Sequence, residues 1–336
     1  MSYKTTDTFI QFNLKWYNKV IYYKLKFVIT WLIGYLMNGE WTSIMLKGLK
    51  ISSLSSWLRT DVSESADKLY RHNLIQENKS FRANAIEDLK PVIRAAHDDA
   101  RFRLRKAFQD NLDPLGEWDD DFDPADGYPE VFDLTTLKGY FGEFFSGVIA
   151  ENFSPFGESN WQVPVFSFRW HDTAFDQLEM YRQTGQMKEA IMGRTGDDCV
   201  AFVLDKDRIT KILFLEAKCT AKHDPSMIAD AHTKISSTNL IPVEVRRIIE
   251  VLQDYKENTT AQLWIAALRQ LYRPRVRFER YDCVSYVCGQ SPVRKRSWIP
   301  PDAPHSNYTG GRKLEAVEIQ LTDVEELIKD LYGKDD

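Results

Sequence analysis

Apolar positions recur along the chain with two different periods, and each period predicts its own element. Between Ser63 and Lys106, Ile86, Leu89, Ile93, Ala100 and Leu104 stand at helical spacings among dense acids and bases. This predicts a helical region with one buried face, and Pro91 within it predicts a kink or a fresh helix start. Leu134 to Phe153 (LTTLKGYFGEFFSGVIAENF) predicts an amphipathic helix with Glu143 inside an aromatic stretch. Val163 to Trp170 predicts a strand, and Phe175 to Ile191 a long excursion or helix. The short apolar runs CVAFVL (199–204) and ILFL (212–215), split by Asp205-Lys206-Asp207-Arg208, predict a hairpin of two buried strands. Helices are predicted near 225–236, 243–255 and 261–271, with strands over 276–287 and 316–321. A last helix is predicted to open on a capping box, Thr322 to Glu325, and to stop at Gly333.

Two stretches depart from this texture. Phe27 to Met37 (FVITWLIGYLM) is an apolar run preceded by Lys15, Lys19, Lys24 and Lys26. It is about half the ~20 residues that span hydrocarbon, and no small-x-small cleavage site follows it. Residues 1–44 are also rich in Lys, Asn, Ile, Phe and Tyr, which predicts an over-extended gene model with translation starting at Met37 or Met45. A helix packing on the domain and a membrane association are the alternatives. The acidic stretch Glu117 to Asp126 (EWDDDFDPAD) reads as a polar linker. Asp119, Asp121, Asp123 and Glu130 have calcium-loop spacing, but Pro124 stands where such a loop turns on glycine. The expected organisation is therefore an N-terminal segment over 1–44, a helical region with an acidic linker over 45–130, a core over 131–300, and a strand and helix over 301–336.

Composition narrows the function classes. A chain of 336 residues, 43% hydrophobic and 28% charged, can bury a large core, which excludes a disordered or collagen-like protein. A net charge of -5, from 44 bases and 49 acids, excludes coating of nucleic acid by bulk charge but leaves room for a local basic surface. Cys199, Cys219, Cys283 and Cys288 form no CxxC pair, and the six histidines form no HxxxH or HExxH. The cysteines therefore read as reduced thiols of a cytoplasmic protein, with no zinc site.

The candidate chemistry lies in the 199–215 hairpin. Asp/Glu-x-Lys occurs four times, at Glu77, Asp88, Glu216 and Asp254, but only Glu216-Ala217-Lys218 ends an apolar strand. Strand period puts Phe214, Glu216 and Lys218 on one face, where burying a carboxylate and an ammonium requires compensation. If the two runs pair antiparallel, Asp198 comes beside Glu216, and two close carboxylates need a cation or proton between them. Oxygen ligands of this kind suit Mg²⁺ or Mn²⁺. Asp197 is the second choice for this position. A salt bridge serving stability alone is the competing explanation.

Gly196-Asp197-Asp198-Cys199-Val200-Ala201-Phe202, followed by Leu213-Phe214-Leu215-Glu216-Ala217-Lys218, resembles the PD-(D/E)xK nuclease superfamily. The resemblance covers about residues 134–288. It lacks the proline before the aspartate, and a long stretch separates the first expected strand from Asp198. It implies an α/β fold, a restriction-endonuclease-like mixed sheet flanked by helices, here with an N-terminal helical region. It also implies Mg²⁺-dependent hydrolysis of DNA, of the kind found in restriction or anti-phage defence. Asp198, Glu216 and Glu143 would be metal ligands, the Ala217 carbonyl a further one, and Lys218 the catalytic lysine. A non-catalytic nucleic-acid-binding or assembly module on the same fold is the alternative.

Nucleic acid would need cations near such a site. Arg246, Arg247, Arg273, Arg275, Arg277, Arg280 and Arg294-Lys295-Arg296 follow it in sequence, as candidate phosphate contacts. Arg101, Arg103, Arg105 and Lys106 read as a solvated helix face, with a phosphate-binding surface as the alternative, and His232 and Lys234 as solvent-exposed, with approach to the nucleic-acid backbone as theirs. No GxxxxGK[ST] loop occurs, so any ATP dependence implies a helicase or ATPase partner.

Overall fold

The computed structural model describes residues 48–109, 123–166, 168, 171–185, 198–237, 241 and 243–334. The expectations for 1–44, and those for Asp197, Asp119 and Asp121, lie outside these residues. The described residues fall within one compact unit, Met45–Asp336. It is an α/β structure built on a seven-stranded mixed sheet. In chain order the elements are α1 (Leu54–Trp57), β1 (Leu58–Glu64), β2 (Tyr70–Glu77), α2 (Arg82–Gln109), α3 (Leu134–Phe153), β3 (Trp161–Gln162), α4 (His171–Thr184), β4 (Cys199–Asp205), β5 (Arg208–Thr220), α5 (Pro225–Ser237), α6 (Val243–Gln253), α7 (Thr259–Gln270), β6 (Glu279–Cys288), β7 (Leu314–Gln320) and α8 (Val324–Tyr332).

The sheet order is β1-β2-β7-β6-β5-β4-β3. β4 pairs antiparallel with β5 through a turn in which Lys206 takes a left-handed φ of 58°. β5, β6, β7 and β2 run parallel. Their crossovers are the connections that parallel strands require, and helices cover both faces. On one face Phe202, Ile212 and Phe214 pack with Ile228 and Ile235 of α5, Ile248 of α6, and Trp264 and Leu268 of α7. On the other face lies α3, where a Cβ on Gly142 would meet the Cβ atoms of Cys219 and Ala217, and one on Gly147 would meet Cys199 Sγ. α8 and α2 complete this second layer.

Several expectations change. The stretch from Ser63 is not helical throughout: β1 and β2 form an antiparallel hairpin, and the helix begins only at Arg82. β2 is held by its parallel partner β7, with Leu74 and Ile75 buried, so a distant strand decides its state. α2 runs through Pro91 as one helix. The strand expected over 163–170 does not form at 163–166 or 168; a short strand, Trp161–Gln162, stands just before it, and 167, 169 and 170 lie outside the described residues. Residues 123–132 do not form a free linker, because Ala125, Tyr128 and Phe132 are buried. β7 is not a terminal appendage either; it lies between β2 and β6. The N-cap of α8 is Asp323, which accepts from Glu326 N, while Thr322 N donates to Glu77. Gly333 ends that helix in the left-handed conformation. No helix among the described residues is long and apolar enough to cross a membrane.

Candidate active site

The β4–β5 register fixes the site. Cys199 pairs with Leu215 and Val200 with Phe214, so one further step sets Asp198 beside Glu216 on the face that carries Phe214 and Lys218. The backbone holds Asp198 there: its N donates to Leu215 O at 3.1 Å, and its Oδ2 accepts from Ala217 N at 2.9 Å. Glu216 is fully buried. Burial, and then the charge of Asp198, push its carboxyl up to about 8, against the opposing pull of Lys234 and Lys218.

Two lysines meet the carboxylates. Lys218 Nζ lies 3.2 Å from Glu216 Oε1 and 2.7 Å from Asp230 Oδ2. Lys234 Nζ straddles the Glu216 carboxylate, 2.9 Å from Oε1 and 2.7 Å from Oε2, and is 3.5 Å from Asp198 Oδ1. Its directed hydrogen bond goes to Oε1; Oε2 is buried without one and is held by charge alone. Burial opposes both ammonium charges, but Glu216, Asp230 and Asp198 hold Lys218 above the ordinary lysine value, and Asp198 and Glu216 do the same for Lys234.

α5 delivers Asp230 and Lys234. Pro225 opens it at the position that lacks a helical hydrogen bond, and Asp224 Oδ1 accepts from Ser226 N at 2.8 Å. Asp224 N donates to Tyr286 OH at 3.0 Å, which seats the helix start over β6. Ile228, Ala231 and Ile235 turn to the core, and Asp230 and Lys234, four residues apart, share a neighbouring face. Sequence reasoning left Lys234 in solvent and gave Asp230 no role. The signal that could have found them is an acid–lysine pair at helical spacing in the helix after the Glu-x-Lys strand. His232 is likewise not exposed: it is fully buried, its Nδ1 is 2.7 Å from Ile228 O, and burial pushes its pKa down to about 4.

Glu143 stands apart from this group. It is buried in α3, and α3 covers the sheet face of Ala217, Cys219 and Cys199, opposite to Glu216 and Lys218. Its charge acts on Tyr332 of α8. The structure thus brings together Asp198, Glu216 and Lys218 of the four expected site residues, and leaves Glu143 behind the sheet.

Two carboxylates with lysines form a donor set that fits Mg²⁺, which binds through one or two carboxylates, water and substrate phosphate. Glu216 Oε2 is buried, has no directed hydrogen bond and faces the Lys234 ammonium at 2.7 Å, so a cation already stands where an ion would bind. Among the described residues no group of three His, Cys, Asp or Glu converges on a metal position.

The candidate phosphate contacts divide. Arg101 pairs with Asp98 and Glu130, Arg103 and Lys106 with Asp254, and Arg105 with Asp123. Arg246 pairs with Glu250, Arg247 with Glu244, and Arg296 with Asp61. Arg280 is tied to Asp282 at 3.0 Å and lies over the Phe214 ring, so its role is structural. Arg273, Arg275, Arg277, Arg294 and Lys295 are exposed. All four cysteines are free thiols, three of them buried. No protein-family model and no curated protein matches this sequence.

Proposed function

We propose that this chain is a metal-dependent nuclease that hydrolyses phosphodiester bonds of DNA, built on the restriction-endonuclease-like plan and of restriction or phage-defence type. The observation that carries this reading is the meeting of Asp198, Glu216 and Lys218 on one sheet face, although burying Glu216 there is costly. Asp198 and Glu216 would hold Mg²⁺ or Mn²⁺, with the Ala217 carbonyl beside them. When bound, the ion supplies Lewis-acid polarisation of the phosphoryl oxygen and a lowered pKa for its water. Lys218 lies beside this position, 3.2 Å from Glu216 Oε1. Its ammonium orients the attacking water and offsets negative charge growing on the phosphate oxygens. Asp230, 2.7 Å from Lys218 Nζ, fixes that ammonium toward the pair. Ala217 N holds Asp198 in its rotamer, so the acid is oriented before substrate arrives.

One observation favours a second reading. Lys234 and Lys218 together already balance the two carboxylates, so the cluster is self-sufficient as a salt-bridge network on a non-catalytic nucleic-acid-binding or assembly module. Incubation of plasmid, linear DNA and RNA with Mg²⁺ or Mn²⁺, for the native chain and for Asp198→Ala and Lys218→Ala, separates them. Cleavage lost in both variants supports the nuclease. Binding without cleavage by any form supports the module. Cleavage retained by both variants places the active site elsewhere.

A further inference from the structure

We infer that Lys234 is an internal counter-ion, which holds the Asp198–Glu216 pair together until a divalent cation takes its place, and whose released ammonium then serves the substrate phosphate. This rests on the nuclease reading above. The ammonium lies within 3.5 Å of oxygens from both acids, at the position an ion shared by them would fill. Mg²⁺ would sit about 2.0–2.1 Å from the same oxygens, well inside the reach of the ammonium's repulsion. A divalent ion and the Lys234 ammonium therefore compete for these oxygens.

The two lysines differ in how they meet the acids. Lys218 retains Asp230, an acid outside the pair and 63% exposed, at 2.7 Å. Lys234 lies against oxygens of both prospective ligands, whereas Lys218 forms an ion pair with only one of them, Glu216. Its side chain is 29% exposed, so a route to solvent is open, and the four-carbon stem of lysine lets the charge swing while the helix stays seated. With all five groups charged, Asp198, Glu216 and Asp230 against Lys218 and Lys234 leave one negative charge. A divalent ion reverses this to one positive charge, which a phosphodiester then neutralises. Metal and polyanion therefore favour each other's binding, and Lys234 is the positioning residue that couples them.

The test uses the full chain and the metal alone, by calorimetric titration of Mn²⁺ and Mg²⁺ at fixed ionic strength. Lys234→Met and Lys234→Gln should bind the ion at least tenfold more tightly than the native chain, whereas Lys234→Arg should not. Without metal the two neutral variants should melt lower than the native chain, and saturating Mn²⁺ should raise their Tm by more. A measurement on the native chain needs no variant: amine-reactive labelling read by mass spectrometry should show Lys234 protected without metal and labelled several-fold faster with it, while Lys218 changes less. Native metal binding that Lys234→Met and Lys234→Gln leave within twofold, with labelling of Lys234 indifferent to metal, overturns the inference and leaves the metal centre standing. Absence of metal binding by all forms overturns the metal centre and the inference together.

Discussion

Asp198 stands across the β4–β5 ladder from Glu216, one register step past the Cys199–Leu215 pair, with its Oδ2 2.9 Å from Ala217 N. A two-residue turn thus brings two acids eighteen residues apart in sequence side by side in the sheet. Everything else in the site is arranged around that pair: Lys218 arrives by strand alternation, and Asp230 and Lys234 by the helix that follows.

Glu143 is the sharpest test of which face carries the chemistry. Because α3 packs against Ala217 and Cys219, Glu143→Gln should leave the cleavage rate within about threefold of native while lowering stability by about 1–3 kcal/mol through its buried contacts. Single-turnover cleavage and thermal melts check it. A hundredfold loss of rate with unchanged melting would return Glu143 to the site.

The packing of α3 gives a paired stability prediction. A Cβ on Gly147 would lie 2.6 Å from the Phe166 ring and 3.2 Å from Cys199 Sγ, whereas one on Gly139 meets nothing within 4 Å. Gly147→Ala should cost about 1–3 kcal/mol by overpacking. Gly139→Ala, on the exposed side of the same helix, should gain about 0.5–1 kcal/mol from helix propensity. Denaturant midpoints of the two variants should therefore move in opposite directions.

Asp99 on α2 predicts a pH dependence of stability. Its Oδ2 is enclosed without a hydrogen bond, and burial, opposed by Arg103, pushes its pKa up to about 7 from 3.8. A carboxyl raised on folding stabilises fully below its unfolded value and loses that contribution as pH rises toward the folded one. Asp99→Asn should therefore match the native chain near pH 4 and exceed it by about 1–2 kcal/mol at pH 8, a figure reduced for the residue's partial exposure. Melting curves from pH 4 to 8 check this, and a difference that does not grow with pH would contradict it.

Arg273, Arg275 and Arg277 are exposed, and among the described residues none forms an ion pair. If they contact phosphate, the triple alanine variant should bind DNA more weakly, by a similar factor on every sequence. The slope of log affinity against log salt should fall by up to about 3. Fluorescence anisotropy over a salt series reads both quantities, and an unchanged slope would remove these arginines from the interface.

What could be read from the sequence follows the range of the forces involved. The β4–β5 hairpin was legible because alternation and a polar turn are local signals, and they carried Asp198, Glu216 and Lys218 with them. β2 was not, because Tyr70–Glu77 owes its strand state to pairing with β7, more than two hundred residues away. The helix bearing Glu143 was legible, but the face of the sheet it would cover was not, since both faces are apolar and a helix pattern carries no information about side. Lys234 looked like a surface lysine because its partners come from strands outside its own helix.

The measurement that bears most directly on the central claim is cleavage of supercoiled plasmid with Mn²⁺ and with chelator, for the native chain beside Asp198→Ala, Lys218→Ala and Glu143→Gln. The nuclease reading predicts metal-dependent cleavage by the native chain and by Glu143→Gln, and a loss of at least about a hundredfold in the other two while DNA binding persists. Cleavage that survives both Asp198→Ala and Lys218→Ala, or that proceeds equally in chelator, would contradict it.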